Sequence, residues 1–175
     1  MQDNLERIAL AGGCFWCTEA VLGMLDGVVK ATPGYAGGTT EDPTYEEVCA
    51  GNTGHAEVVL AEYDPGRVSL EDILDVFFAS HDPTTPNRQG NDIGTQYRSI
   101  ILYDSEDQRV AVERFIEGIS GEYKEPLVTE VKPLGAFHPA EEHHRLYYEK
   151  NPQQPYCRLV VSPKVKKIEK KLGRA

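Results

Sequence analysis

The stretch Gly12-Gly13-Cys14-Phe15-Trp16-Cys17-Thr18-Glu19 concentrates more chemistry than any other part of the chain. Residues 6–11 read as a short strand. Residues 15–25 read as a helix, with Trp16, Ala20, Met24 and Val21, Leu25 at helical spacing. Cys14 therefore falls at the helix start, where free N–H groups and the positive dipole end favour a thiolate. The two glycines let the backbone turn tightly and leave the sulfur accessible. Phe15 and Trp16 can wall a space for a small apolar group such as a methyl. Adjacent helical positions do not share one face, so at least one of the two points away from the main core stripe. Cys17 completes a C-x-x-C pair, a spacing shared by redox, metal and structural sites. Glu19, inside the helix, reads as structural.

The other candidates are scattered. Glu57 begins a strand whose next residues, Val58-Val59-Leu60, are apolar. A carboxyl so placed is partly desolvated, which raises its pKa and suits it to donate a proton. Tyr45, Asp92 and Tyr97, taken singly, are ordinary turn or sheet residues. Cys49 reads as a buried, inert thiol. Cys157 sits in a distal, Pro-rich segment expected to be mobile. The five histidines read as surface or hydrogen-bonded groups.

Strand-like and helix-like stretches alternate along the chain, which points to an α/β (α+β) layer architecture. Further strands are expected over residues 28–32 (halted by Pro33-Gly34), 55–63, 97–103 and 127–134. Helices are expected after Ser69, whose S-x-x-D pattern with Asp72 is a start signal, over 105–119, and over 139–150 with Pro139 in the first turn. A helical turn is expected at Tyr45–Cys49. Residues 35–54 and 81–94 are long loops rich in Tyr, Gly, Asn and Asp, a length and composition that favour a functional role. Residues 1–175 are taken as one domain, with 151–175 an irregular C-terminal segment apart from an apolar run at 159–161.

Composition narrows the class. With 175 residues, 40% hydrophobic and 26% charged, the chain can bury a core without disulfide staples. No apolar run is long enough to span a bilayer and no signal peptide is legible, so a soluble cytoplasmic protein is expected. The net charge of -10 disfavours a nucleic-acid partner, although seven basic residues against one acidic lie between Arg158 and the end. That Lys-rich tail reads as a solvated segment. No long apolar face suggests obligate association, so a monomer is expected.

Four segments together resemble one family. They are G-C-F-W at residues 13–16, P-T-Y-E-E-V-C-A-G-N-T-G-H-A-E at 43–57, G-N-D-I-G-T-Q-Y-R-S at 90–99 and H-P-A-E-E-H-H at 138–144, with a distal Q-P-Y-C at 154–157. The pattern is similar to the A-type peptide methionine sulfoxide reductases, over nearly the whole chain. That resemblance implies a two-layer α-β sandwich with a mixed central sheet and a ferredoxin-like core. It implies reduction of methionine S-sulfoxide, protein-bound and free, in the repair of oxidised proteins. By the same resemblance Cys14 attacks the substrate sulfur, Glu57 protonates the oxygen, Tyr45 and Tyr97 hold it, Asp92 binds substrate, and Phe15 and Trp16 form the methyl pocket.

A sulfenic acid left on Cys14 is condensed to a disulfide by a second thiol. Cys157, which matches a recycling cysteine of the family, is expected to resolve first, with Cys17 resolving or relaying. Many family members carry Gly at the position of Cys17. No cofactor and no metal are expected. The external reductant implied by the resemblance is thioredoxin or a dithiol. Two other readings of the residues stay open. One is a zinc site, weak because only one C-x-x-C exists and because Glu142 stands where H-x-x-E-H needs histidine. The other is a dithiol oxidoreductase acting through Cys14 and Cys17.

Overall fold

The computed structural model describes residues 4–174. In chain order the elements are β1 (Glu6–Ala11), α1 (Phe15–Leu22), β2 (Val28–Ala36), α2 (Tyr45–Cys49), β3 (Ala56–Tyr63), α3 (Leu70–Ser80), β4 (Arg88–Gln89), β5 (Asp92–Ile93), β6 (Ile100–Tyr103), α4 (Glu106–Ile119), β7 (Glu130–Pro133), β8 (Phe137–Pro139), α5 (Tyr147–Lys150) and α6 (Ser162–Lys171). The main sheet runs β7-β6-β1-β3-β2-β8. β6 and β7 are parallel and the other neighbours antiparallel. The inner order β6-β1-β3-β2, with α1 and α3 as crossovers, is the ferredoxin-like core of a mixed α/β sheet protein. β4 and β5 form a separate small hairpin within the second long loop.

Strand alternation decides which residues meet the helices. On β3, Val59, Ala61 and Tyr63 join Ile8, Leu10, Tyr35 and Ile101 in the core beneath α1, α3 and α6. Ala56, Val58 and Leu60 point to the opposite face, with Ala9, Ala11, Ala36, Ile100 and Leu102. Glu57 has the parity of Val59 and Ala61. Its carboxyl is therefore aimed into the helix-facing core. α3 begins with the expected capping box, in which Ser69 and Asp72 exchange side-chain and backbone hydrogen bonds. α2 has its own, from Thr44 and Glu47.

Three expectations need correction. Strand β2 continues through Pro33 to Ala36. The Pro33 carbonyl accepts from the Ala140 N–H, so the missing Pro33 N–H also points to the β8 side, where pairing ends, and costs β3 no bond. The helix read over 139–150 is broken: Pro139 ends β8, residues 142–144 make a 3-10 turn, and Leu146 takes a left-handed φ of 52 before the short α5. The C-terminal segment is not irregular. Cys157–Val161 forms a π-helical turn that leads into α6. Val161, Val165 and Ile168, at i, i+4 and i+7, are at most 9% exposed. Burial of such side chains is worth about 1.5–3 kcal/mol each, which holds down a helix whose other faces are basic. No helix of the described residues is long and apolar enough to cross a membrane.

Candidate functional site

The turn that carries Cys14 is moulded on two buried side chains. A Cβ on Gly12 would stand 2.6 Å from the His81 ring, and one on Gly13, at φ +86, would stand 3.0 Å from Gln89 Cγ. Burial pushes His81 down to about 4, so the ring is neutral. It donates from Nδ1 to the Phe77 carbonyl at 2.7 Å and accepts at Nε2 from Ser99 Oγ at 2.8 Å. The Gly13 N–H donates to the Tyr97 carbonyl at 3.2 Å, which ties Tyr97 to the turn. Cys14 then serves as the N-cap residue of α1, with extended dihedrals and 8% exposure.

Two N–H groups of the first helical turn face the chemistry. That of Phe15 donates to Glu57 Oε1 at 3.3 Å. That of Trp16 favours the ionised form of the Cys14 thiol. The helix end supports the thiolate as its position implies, but burial outweighs it. Burial first, then the neighbouring Glu57 and Cys17, push the Cys14 thiol well up, so the free protein holds a thiol and not the expected thiolate at neutral pH. Glu57 is 1% exposed. Burial pushes it up to about 8 against the opposing pull of the Phe15 amide and the neighbouring Cys14 thiol, so it is a neutral acid at pH 7. Its Oε2 is buried without a hydrogen-bond partner.

The tyrosines and Asp92 surround this pair. Tyr45 and Tyr97 are half-buried, and burial with the adjoining Glu57 pushes both phenols up, which keeps them as hydroxyl donors. Asp92 lies close enough to raise the titration of both Cys14 and Glu57. Its Oδ2 accepts from the Tyr156 hydroxyl at 2.5 Å. Phe15 is fully buried, whereas Trp16 is half-buried, so the two rings split as adjacent helical positions must. Trp16 stacks on Tyr147 at 3.7 Å between ring centres, with Tyr156 edge-on at 5.7 Å.

Trp16 is also pinned from behind. Its Nε1–H donates to His144 Nδ1 at 3.1 Å, which places the His144 proton on Nε2. Nε2 stands 3.4 Å from Glu141 Oε2 but completes no hydrogen bond. Glu141 in turn accepts from the Tyr35 hydroxyl at 3.0 Å and from the Tyr45 N–H at 3.1 Å. One carboxylate thus links β2, the start of α2 and the histidine behind Trp16. Glu19 is structural, as expected: its carboxyl accepts the Leu146 N–H at 2.9 and 3.0 Å and holds the left-handed residue that precedes Tyr147.

The cysteines are arranged unlike the expectation. Cys49 is exposed rather than buried, because Val48 takes the inward position of α2. Cys157 is fully buried in the core, held by the π-helical turn, and burial pushes its thiol up. Cys17, 2% exposed, lies in the first turn of the helix that Cys14 caps, with its N–H donating to the Cys14 carbonyl at 3.1 Å, while the turn that carries Cys157 packs against the same helix. Among the described residues no three His, Cys, Asp or Glu side chains converge in a way that could hold a metal ion.

Of the residues singled out in the sequence, Cys14, Glu57, Tyr45, Tyr97, Asp92, Trp16 and Cys17 come together. Phe15 contributes its amide and a buried ring, and Cys157 is buried in the core on the turn that packs against α1. Sequence reasoning missed Tyr156, Tyr147 and the pair Glu141–His144. Tyr156 directly precedes Cys157 in Q-P-Y-C, and both members of the pair lie in H-P-A-E-E-H-H, so the signal was adjacency within motifs weighed for other residues.

Comparison with known proteins points one way. The family described as peptide methionine sulfoxide reductase matches residues 6–175. The peptide methionine sulfoxide reductase MsrA of Natronomonas pharaonis is 56% identical over 161 residues, covering 91% of this chain and 90% of that protein. That of Sulfolobus acidocaldarius is 52% identical over 166 residues, covering 95% and 94%. Among solved structures, Mxr1 from Saccharomyces cerevisiae in reduced form is similar with a TM-score of 0.84 at 37% identity, covering 90% of this chain and 91% of that one. Mxr1 in complex with Trx2 matches with a TM-score of 0.61 at 28% identity, covering 84% and 87%.

Proposed function

The chain belongs to the peptide methionine sulfoxide reductase family, and on that premise we propose that it reduces the S-sulfoxide of methionine, free and protein-bound, with Cys14 as nucleophile. The observation that carries this reading is the Glu57 carboxyl: neutral at pH 7, next to the Cys14 thiol, with one oxygen buried and unpartnered. A sulfoxide oxygen is the strong acceptor such a group lacks.

The chemistry follows from that pairing. Glu57 hydrogen-bonds the sulfoxide oxygen and makes the sulfur electrophilic. As the Cys14 sulfur attacks, the carboxyl proton moves to that oxygen and the thiol proton replaces it on Glu57. Oxygen passes to Cys14, methionine leaves, and Cys14 is a sulfenic acid. Tyr45 and Tyr97 donate hydroxyls toward the same oxygen, and Trp16 with Tyr156 walls the methyl group. Asp92, bridged to Tyr156, borders the same space.

Cys17, in the first turn of the helix that Cys14 caps, is favoured as the resolver over Cys157, which is buried in the core. Side chains three apart on a helix lie about 5–6 Å from each other at Cβ. A disulfide needs about 3.5–4.5 Å, so a small adjustment of the first turn suffices. Cys157 then exchanges with the Cys14–Cys17 disulfide. A thioredoxin-type dithiol is the reductant; the Mxr1–Trx2 structure supports that choice.

The test is turnover on separated S- and R-sulfoxides by wild type and Cys14→Ser. Wild type should reduce the S form and the variant neither. Equal reduction of both epimers, or activity surviving in Cys14→Ser, would overturn the reading.

A further inference from the structure

One charged group beside this site is left without a task. Lys164 stands in the first turn of α6, after Pro163, and is half-buried. Its Nζ lies 3.8 Å from the point where a Cβ on Gly13 would sit, next to the residue that carries the nucleophile. Among the described residues it takes part in no ion pair. Lys171, on the same helix, is paired with Asp75 at 2.9 Å. With Gln89, Asp92 and Tyr156, Lys164 lines a cavity of about 490 Å³. The carboxylate nearest to hand there, Asp92, already accepts from Tyr156.

The surroundings of Cys17 show what an unpaired ammonium does here. Burial pushes the Cys17 thiol up to about 11, and Lys164 is the strongest influence opposing it. The other titratable groups about Cys17 include Asp92 from β5, Tyr156 just before the π-helical turn, Cys157 within it, and Cys14 from the start of its own helix. Lys164 is the one cation among these. A buried thiol must lose its proton before it can displace oxygen from a sulfenic acid, since the thiolate is the nucleophile.

We propose that the Lys164 ammonium, carried by α6 to the floor of the Gly13–Cys17 turn, serves the resolving step by stabilising the Cys17 thiolate while it attacks the Cys14 sulfenic acid. This rests on Cys17 being the resolver. In the step, the Cys17 sulfur forms a bond to the Cys14 sulfur, the S–O bond breaks, and hydroxide leaves. The proton lost by Cys17 ends on that hydroxide as water. Cys14 sulfur is reduced and Cys17 sulfur oxidised, so no outside oxidant or reductant enters. Lys164 acts through Cys17 and is a positioning residue.

The experiment is a single turnover with methionine S-sulfoxide and no reductant, with the Cys14 sulfenic acid trapped by dimedone at successive times. Wild type, Lys164→Met, Lys164→Arg and Cys17→Ser are compared. In Lys164→Met, methionine release should keep its wild-type rate, which also reports an intact site. Decay of the sulfenic acid should slow by about tenfold, the effect of one pKa unit on thiolate supply. The pH of half-maximal resolution should rise by about one unit and return with Lys164→Arg.

Wild-type decay in Lys164→Met, with decay stalled in Cys17→Ser, overturns the role of Lys164 alone. Equal slowing of methionine release and decay, or no recovery in Lys164→Arg, does the same. Wild-type decay in Cys17→Ser removes Cys17 as the resolver and Lys164 with it. Absence of any trapped sulfenic acid in Cys17→Ser, without methionine release, sinks the catalytic reading itself.

Discussion

The backbone N–H of Phe15 donates to Oε1 of Glu57 across 3.3 Å, joining the residue after Cys14 to a carboxyl from β3. α1 and β3 are thereby registered at the proposed site of reaction. That carboxyl keeps its second oxygen buried and unpartnered.

Glu57→Gln keeps the shape and the Phe15 contact but cannot donate an ionisable proton. General acid catalysis contributes about 10²–10⁴ in rate, so methionine formation should fall within that range. Alkylation of Cys14 should persist, since the thiol remains. Methionine release in a single turnover, measured beside iodoacetamide modification, checks both.

The same carboxyl sets a pH limb. Glu57 is protonated below about 8, so the rate of methionine release should fall as pH rises through that value. Stability follows the same sign. The unfolded carboxyl ionises near 4.5 while the folded one keeps its proton to about 8, so the folded state binds more protons in this window and loses stability as pH rises. One such group contributes a slope of about 1.4 kcal/mol per pH unit. Urea denaturation at pH 5 and pH 8 should therefore show Glu57→Gln gaining on wild type at the higher pH. A gap that stays constant would mean that the carboxyl does not retain its proton.

Trp16 is the only tryptophan in the chain, so its emission reports the wall of the site. His144→Phe removes the acceptor of its indole N–H. An unsatisfied buried donor costs about 1–3 kcal/mol. The variant should show altered tryptophan emission and a raised KM with kcat less affected, since on the proposed reading the wall binds substrate while the Cys14–Glu57 pair is untouched. Unchanged fluorescence would place the indole elsewhere.

Gly12→Ala tests the seat of the nucleophile turn. The added methyl would meet the His81 ring at 2.6 Å, and that ring is fixed at both nitrogens. Overpacking of this kind costs about 1–3 kcal/mol. At about 2–4 °C per kcal/mol for a chain of this size, the melting temperature should drop by several degrees, with activity reduced through displacement of Cys14.

What the sequence made legible was whatever local pattern determines. The strand over Glu6–Ala11, the capping box at Ser69 and the turn at Tyr45–Cys49 follow from neighbours within a few residues. Period-two alternation on β3 also places Glu57 on the same face as Val59. The misses are tertiary. The Lys-rich tail hid Val161, Val165 and Ile168, whose spacing becomes a helix because α1 and α3 offer a surface to cover. The break at Leu146 depends on Glu19, distant in the chain, holding its N–H. Tyr156 meets Asp92 because the chain before α6 folds back to line one cavity with β5. The helix start at Cys14 is legible in the motif, but the depth of burial that outweighs its effect on the thiol is not.

The most direct measurement mixes fully reduced protein with methionine S-sulfoxide in the absence of any reductant and follows both methionine release and the mass of each cysteine peptide. Wild type should release methionine in proportion to protein, with a Cys14–Cys17 disulfide as the first linkage; Cys17→Ser should carry an added oxygen, trapped at Cys14. Methionine release persisting in Cys14→Ser, or the first oxygen appearing on another cysteine, would contradict the account.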